Sequence, residues 1–131
     1  MKNTHNSQVV VINGVHWGDE GKGKIVDLLA RQFNVVPRYQ GGPNAGHTVI
    51  DGTNKYVFHQ LPSGILSPTT INILGNGMLV NLLTLQKEIG QLPDALRVGL
   101  KGRLFISNRA HLITPWLIAV EMARKKQLGE G

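Results

Sequence analysis

The chain has 131 residues, of which 41% are hydrophobic and 17% charged, a composition that fits one globular domain and not a disordered protein. It contains no cysteine, which excludes disulfides and thiolate metal sites within this chain. No apolar run reaches membrane-spanning length, and residues 1–7 lack the apolar core of a signal peptide. We expect a cytoplasmic protein without membrane contact, with a flexible leader over residues 1–8 and a single domain over residues 9–131.

The net charge of +6 suits an anionic partner. Nucleic-acid binding usually requires a basic stripe with stacking aromatic residues, but only 5% of this chain is aromatic. The basic cluster at residues 124–126 lies near the predicted end of a helix, where it complements the helix dipole. We therefore expect no nucleic-acid partner. The alternative, a basic nucleic-acid-binding protein, would reveal itself by an affinity that falls steeply with salt.

Strands and helices are predicted to alternate along the chain. A strand-like run at Gln8–Asn13 leads through a glycine-rich loop at residues 18–24 into a helix over Ile25–Ala30. A second strand, Val35–Gln40, precedes another glycine-rich loop at residues 41–46.

The middle of the chain predicts a hairpin, a strand and a helix. Two short strands, Thr48–Ile50 and Lys55–Phe58, flank turn residues and predict a β-hairpin. A further strand, Thr70–Leu74, is predicted to end in a turn at Gly75–Gly77. Asn81 is predicted to cap the helix that follows, because its side chain can accept from the first free N–H groups.

The last third predicts a loop over Pro93–Gly102, a strand over Arg103–Ile106, and a helix that starts after Thr114 and stops at Gly129. One stripe of this helix is predicted to face the core: Trp116, Ala119, Val120 and Ala123. The order of elements predicts an α/β fold: a largely parallel sheet with flanking helices, a P-loop-like glycine-rich loop after the first strand, and one β-hairpin insertion.

The first glycine-rich loop can bind phosphate. Gly18, Gly23 and Lys24 fit the spacing of a P-loop, in which backbone N–H groups and a helix N-terminus converge on the anion. The Ser or Thr that normally follows the lysine and holds Mg²⁺ is replaced by Ile25. Asp19 and Glu20 also lie within this loop. A carboxylate in an anion site is costly unless it binds a cation or moves a proton, so one of the two is a candidate metal ligand or general base. The alternative is a turn with solvated charges.

His47 is the histidine with the strongest functional context. It follows a loop with three glycines and Asn44, and it precedes a predicted strand. An imidazole at a strand end can serve phosphate chemistry, although many loop histidines are merely exposed. His59 and His111 have no such context, and we expect structural or surface positions for them, whereas His5 lies in the predicted leader.

Two long segments resemble the signatures of the adenylosuccinate synthetase family. Residues 16–24 are similar to its first signature and residues 38–48 to its second. Residues 59–66 and 75–77 are also similar to family segments, in the family's order. The resemblance extends from Val9 to about Arg124. It implies a GTP-dependent ligase that joins IMP and L-aspartate to give adenylosuccinate, GDP and phosphate, with Mg²⁺ as cofactor and a homodimeric assembly.

The resemblance also implies roles for individual residues. Asp19 matches the catalytic base and a Mg²⁺ ligand, the backbone carbonyl of Gly46 matches the second protein ligand, His47 matches the general acid, and Lys22 matches a cation beside the reacting phosphoryl group. GTP would contact Gly18, Asp19, Glu20, Gly21, Lys22, Gly23, Lys24, Gly46, His47 and Thr48. IMP would contact Asp19, Glu20, Gly21, Lys22, Asn44, Ala45, Gly46 and His47.

The sequence departs from the family pattern in two respects. His16 stands where the family usually has Gln, and unlike Gln it can become charged near neutral pH. Family members are also much longer, and several binding segments would lie beyond Gly131. Residues 9–131 are therefore expected to be the N-terminal part of a GTP- and IMP-binding α/β domain, inactive alone. The alternative is a non-catalytic nucleotide-binding module related to the family.

Overall fold

The computed structural model describes residues 8–16, 21–44, 46–51 and 53–129. In chain order its elements are α1 (Lys22–Ala30), β1 (Val35–Gly41), β2 (His47–Asp51), β3 (Asn54–Phe58), a 3₁₀ helix (Ser63–Leu66), β4 (Ile71–Val80), α2 (Leu82–Gly90), α3 (Asp94–Val98), β5 (Leu104–Ile106), β6 (His111–Leu112) and α4 (Pro115–Leu128). Residues 1–7 of the predicted leader, Trp17 and residues 18–20 of the predicted first loop lie outside the described part of the chain.

A parallel sheet organises the described elements. Strand β4 lies in its centre and pairs with β1 on one side. On the other side it pairs first with β5 and then, further along its length, with β6. Strands β2 and β3 form a separate antiparallel hairpin in which His47 pairs with Phe58 and Asp51 with Asn54. The predicted α/β class, the parallel sheet and the hairpin insertion are confirmed.

The core lies between the hairpin, the 3₁₀ helix, β4 and α2. Its fully buried side chains include Phe58, Leu61, Ile65, Leu74 and Met78. Because β3, the 3₁₀ helix and β4 all contribute to this one cluster, the hairpin is fixed relative to the sheet. The start of β2, which carries His47, therefore has a defined position.

The strand predicted at Gln8–Asn13 is wrong. The described part of this segment is in no sheet, and Val9 is 84% exposed. Together with α1 and β1 the segment lines a cavity of about 810 Å³, and Tyr39 donates a hydrogen bond to the Asn13 side chain at 2.7 Å. The β-branched run alone does not make a strand: β1 is an edge strand of the described sheet, but it pairs only with β4 and forms no ladder with this segment.

The turn predicted at Gly75–Gly77 is also wrong, because β4 continues through it to Val80. The reason is a close approach between β4 and β1 where the pairing register shifts between Arg38 and Gln40. A Cβ atom at Gly77 would lie 2.8 Å from the Tyr39 carbonyl oxygen. The glycines therefore let β4 pass an irregularity in its neighbour instead of ending the strand.

The helix ends follow the predicted capping residues. The Asn81 side chain accepts from the N–H groups of Leu83 and Thr84 at 3.0 and 3.1 Å, and α2 begins there. The Thr114 hydroxyl accepts from Leu117, and α4 ends at Gly129 with φ of 70°. The predicted start of α2 and the predicted start and end of α4 are confirmed. The loop predicted over Pro93–Gly102 is wrong in part, because it contains the short helix α3.

The stripe of α4 predicted to face the core is exposed. Trp116 is 77% exposed, and no residue of α4 is buried. An apolar stripe becomes core only where a second surface covers it, and the described part of the chain supplies no such surface. No helix among the described residues is long and apolar enough to cross a membrane.

Candidate functional site

The N-terminus of α1 forms one wall of the candidate site. Gly21 precedes the helix with φ of 76°, a left-handed conformation that glycine adopts without strain. Its carbonyl accepts from Lys24 and Ile25 at 3.0 and 3.3 Å, which starts the helix. The helix dipole makes this end positive, and Lys22 and Lys24 lie in the first turn. This end of α1 therefore has the positive potential and the lysines that suit an anion, while residues 18–20 of the predicted loop lie outside the described part of the chain, so phosphate binding stays a prediction.

His47 packs directly against this helix end. It is the first residue of β2, and a Cβ atom at Gly23 would lie 2.7 Å from the His47 Cβ. On its other side the imidazole lies 6.0 Å, centroid to centroid, from the Phe58 ring. The structure thus brings together the two segments that the sequence singled out, one through Gly23 and the other through His47.

The surroundings of His47 favour its neutral form. Burial lowers its pKa to about 4, with further lowering by the positive charge of Arg38 and by His59, and a hydrogen bond with the Phe58 backbone opposes the shift. The Nε2 atom is buried and has no hydrogen-bond partner among the described residues. Because an unpaired buried nitrogen is costly, it is a natural contact for a ligand.

This lowered pKa predicts a pH dependence of stability. In the unfolded chain His47 takes up a proton near its usual pKa of 6.5, whereas in the fold it does so only near pH 4. The contribution of neutral His47 to the free energy of unfolding is therefore complete above pH 6.5. It is lost as the pH falls towards 4, by about 3 kcal/mol in total. Urea unfolding at pH 7.0 and 4.5 should show a smaller loss of stability in His47→Gln than in the unsubstituted chain.

His111→Gln is the matched control for this measurement, because His111 is exposed on β6. It should keep the pH dependence of the unsubstituted chain. Equal pH dependence in all three proteins would contradict the assigned shift of His47.

His59 is a functional candidate that the sequence reasoning missed. It was expected to be structural or at the surface, yet a Cβ atom at Gly46 would lie 2.9 Å from its Cε1 and 3.1 Å from its Nδ1. Its Nδ1 is buried without a hydrogen-bond partner among the described residues. The hairpin could have indicated this position, because a register that pairs His47 with Phe58 places Gly46 opposite His59.

Two further predicted site residues, Thr48 and Asn44, are described. Thr48 follows His47 on β2, so its side chain faces the opposite side of the hairpin, and the Asn44 side chain lies beside Gly42, 3.3 Å from where a Cβ of Gly42 would be. Four predicted residues lie outside the described ranges, so their contacts to the site stay predictions: Gly18, Asp19, Glu20 and Ala45.

Among the described residues no cluster of three or more His, Cys, Asp or Glu side chains could hold a metal ion. The predicted pair of Asp19 and the Gly46 carbonyl is therefore untested, with only Gly46 described. Gly46 lies immediately before β2, between His59 and the segment carrying His47.

Comparisons with known proteins agree on one family. Residues 10–131 match the sequence profile described as adenylosuccinate synthetase. The adenylosuccinate synthetase of Paramecium tetraurelia is 50% identical over 94% of this chain and 30% of its own length, and that of Theileria parva is 52% identical over 94% and 28%. The chain therefore spans less than a third of the length of these relatives.

Two solved structures are also similar. Fully ligated adenylosuccinate synthetase from Plasmodium falciparum matches with a TM-score of 0.74 and 40% identity, covering 90% of this chain and 27% of that one. The succinoaminodeoxyadenylate synthetase of cyanophage S-2L, bound to dGMP and to dATP as energy donor, matches with a TM-score of 0.60 and 26% identity, over 81% and 29%.

Proposed function

Because this chain belongs to the adenylosuccinate synthetase family, we propose that the complete product of its gene joins IMP and L-aspartate, coupled to cleavage of GTP, to give adenylosuccinate, GDP and phosphate. The observation that carries this proposal is the packing of His47 on Gly23 at the N-terminus of α1. It brings a half-buried imidazole, whose Nε2 has no hydrogen-bond partner among the described residues, to a helix end that is suited to phosphate.

The reaction requires a base, a phosphoryl acceptor and stabilisation of charge. Asp19 takes the N1 proton of IMP, so the 6-oxygen becomes a better nucleophile and attacks the γ-phosphorus of GTP, with GDP leaving. The amine of L-aspartate then displaces phosphate from the 6-phosphoryl intermediate. Lys22 and the N-terminus of α1 stabilise the negative charge that develops on the phosphoryl oxygens.

His47 acts at the phosphoryl group as a hydrogen-bond donor and general acid. Its Nε2 needs a partner, and a phosphoryl oxygen supplies one. The imidazole is neutral near pH 7 without ligand, but the negative charge of bound phosphates favours the imidazolium and so raises its pKa again. Binding of a nucleotide therefore favours the protonated form of His47 that a general acid requires.

Mg²⁺ fits the predicted ligands by their chemistry. The Asp19 carboxylate and the Gly46 carbonyl are both oxygen ligands, the kind that this hard cation prefers. We propose that these two residues hold it, together with oxygen atoms of the substrates. When bound, the ion neutralises charge on the transferring phosphoryl group. We also propose that the protein works as a cytoplasmic homodimer.

The proposal is tested with purified complete gene product, GTP and L-aspartate, by following adenylosuccinate, GDP and phosphate chromatographically. We expect all three with IMP in equal amounts, and none when IMP, GTP or L-aspartate is left out. The cyanophage enzyme suggests dGMP as the competing substrate, and we expect the rate with dGMP to be at least about tenfold lower. The greater similarity to the Plasmodium enzyme supports this preference.

Two results would overturn the proposal in different ways. A higher rate with dGMP than with IMP would instead indicate the reaction of the cyanophage enzyme. Binding of IMP or GTP without any turnover would favour the alternative function, a non-catalytic nucleotide-binding module.

A further inference from the structure

Glu88 is a buried acidic residue that the sequence did not single out. It lies on α2 and is 2% exposed. Its carboxylate accepts from three consecutive backbone N–H groups: His59 at 2.9 Å, Gln60 at 3.1 Å to both oxygens, and Leu61 at 2.9 Å. A charge removed from water is tolerated only when it is paired or fully hydrogen-bonded, and these three donors meet that requirement.

The backbone that Glu88 holds leads directly into the candidate site. His59 is the first of the three residues, and its ring occupies the space beside Gly46, 2.9 Å from where a Cβ would be. His47 follows Gly46 and packs on Gly23 at the N-terminus of α1. A continuous set of contacts therefore runs from the carboxylate on α2, through His59 and Gly46, to the phosphate-binding end of α1.

Arg38 connects Glu88 to the same site by charge. Burial lowers the pKa of this arginine, and the negative charge of Glu88 opposes the lowering. Arg38 in turn acts electrostatically on His47. Glu88 thus offsets part of the cost of a desolvated guanidinium near the imidazole.

We propose that Glu88 is a positioning residue: by holding the N–H groups of residues 59–61 it fixes the His59 ring against Gly46, and so fixes the start of β2 that carries His47. The carboxylate touches no reacting atom. It acts through geometry, because phosphoryl transfer loses much of its rate when a contributing group moves by a fraction of an ångström to an ångström. The catalytic consequence rests on the proposed function, whereas the structural consequence does not.

The test compares two substitutions on the same helix in the complete gene product. Glu88→Gln keeps the shape but turns one acceptor oxygen into an NH₂ group facing an N–H donor. Leu85→Ala is the control, because Leu85 is a core residue of α2 at 4% exposure and its truncation lowers stability without altering the carboxylate. Both variants are measured well below their unfolding temperatures, with the folded fraction followed by circular dichroism.

We expect kcat of the Glu88→Gln protein to fall by about tenfold or more, while the Leu85→Ala protein stays within about twofold of the unsubstituted protein. Independently of activity, the imidazole ¹H–¹³C NMR signals of His47 and His59 at pH 7.5 should move in Glu88→Gln and stay in place in Leu85→Ala. Signals unmoved by Glu88→Gln, or moved equally by both substitutions, would overturn the proposal.

The two readouts separate this inference from the proposed function. Inactive unsubstituted protein would contradict the ligase function, and the imidazole signals would still decide the role of Glu88. If Glu88→Gln does not fold, Glu88→Asp takes its place. This substitution keeps the charge but shortens the side chain by one methylene, so it moves the oxygens away from the N–H groups. It should therefore also shift the imidazole signals of His47 and His59. Failure of both variants to fold would overturn the positioning role in favour of a purely structural carboxylate.

Discussion

Asp19→Asn in the complete gene product is expected to lower kcat by about 10²–10⁴-fold, the usual contribution of a general base. The amide has nearly the shape of the carboxylate but cannot accept the N1 proton of IMP. The loss should appear in kcat measured with all three substrates saturating, followed by adenylosuccinate formation. The melting temperature should change little, because the amide and the carboxylate have nearly the same size and shape.

Asp94→Asn is the matched control, because it makes the same chemical change at an exposed position. Asp94 is 87% exposed and pairs with Arg97 one helical turn away, and surface ion pairs of this kind contribute little. Its kcat should stay within about twofold of the unsubstituted protein. Near-normal turnover in the Asp19→Asn protein would remove Asp19 as the base, and an equal loss in both variants would point to a general effect of charge.

The features that the sequence predicted correctly depend on residues close together in the chain. Asn81 and Thr114 cap their helices, and Gly129 ends α4, because each interaction spans at most four residues. The hairpin follows from alternating strands on either side of turn residues. Local chemistry of this kind can be read without knowing what lies nearby in space.

The wrong predictions all concern features that depend on distant neighbours. Whether Gln8–Asn13 forms a strand depends on pairing with an edge of the sheet, and the described edge strand β1 pairs only with β4. Whether Gly75 and Gly77 make a turn or let β4 pass an irregularity depends on Tyr39 of β1. The stripe of α4 would be core only if another surface covered it, and Trp116 remains exposed.

The candidate site shows the same division. The two signature segments were identified from the sequence, but α1 begins at Lys22, inside the loop predicted over residues 18–24, and β2 begins at His47, one residue before the predicted strand. The contact between them was not predictable, because Gly23 and His47 are far apart in the chain. Glu88 was missed for the same reason, since its hydrogen-bond partners lie 27 to 29 residues away.

The contact between Gly23 and His47 leads to the second large effect. Gly23→Ala would place a methyl group 2.7 Å from the His47 Cβ and 3.5 Å from its Cγ, closer than such atoms can approach. The Cβ is fixed to the backbone of β2, so it cannot swing away as the end of a long side chain could. Either α1 or β2 must therefore shift, and the shift separates the imidazole from the N-terminus of α1, where we propose that phosphate binds.

We expect Gly23→Ala to lower kcat/KM for GTP by about 10²-fold, as misplacement of a catalytic group does, and to lower stability by about 1–3 kcal/mol through overpacking. Gly90→Ala is the control, because this glycine also lies in a helix and its Cβ position has no neighbour within 4 Å among the described residues. That variant should keep full activity and equal or slightly higher stability. Steady-state kinetics and urea unfolding of the two proteins decide the matter: if Gly23→Ala is as active as Gly90→Ala, the close packing of α1 on His47 is not what arranges the site.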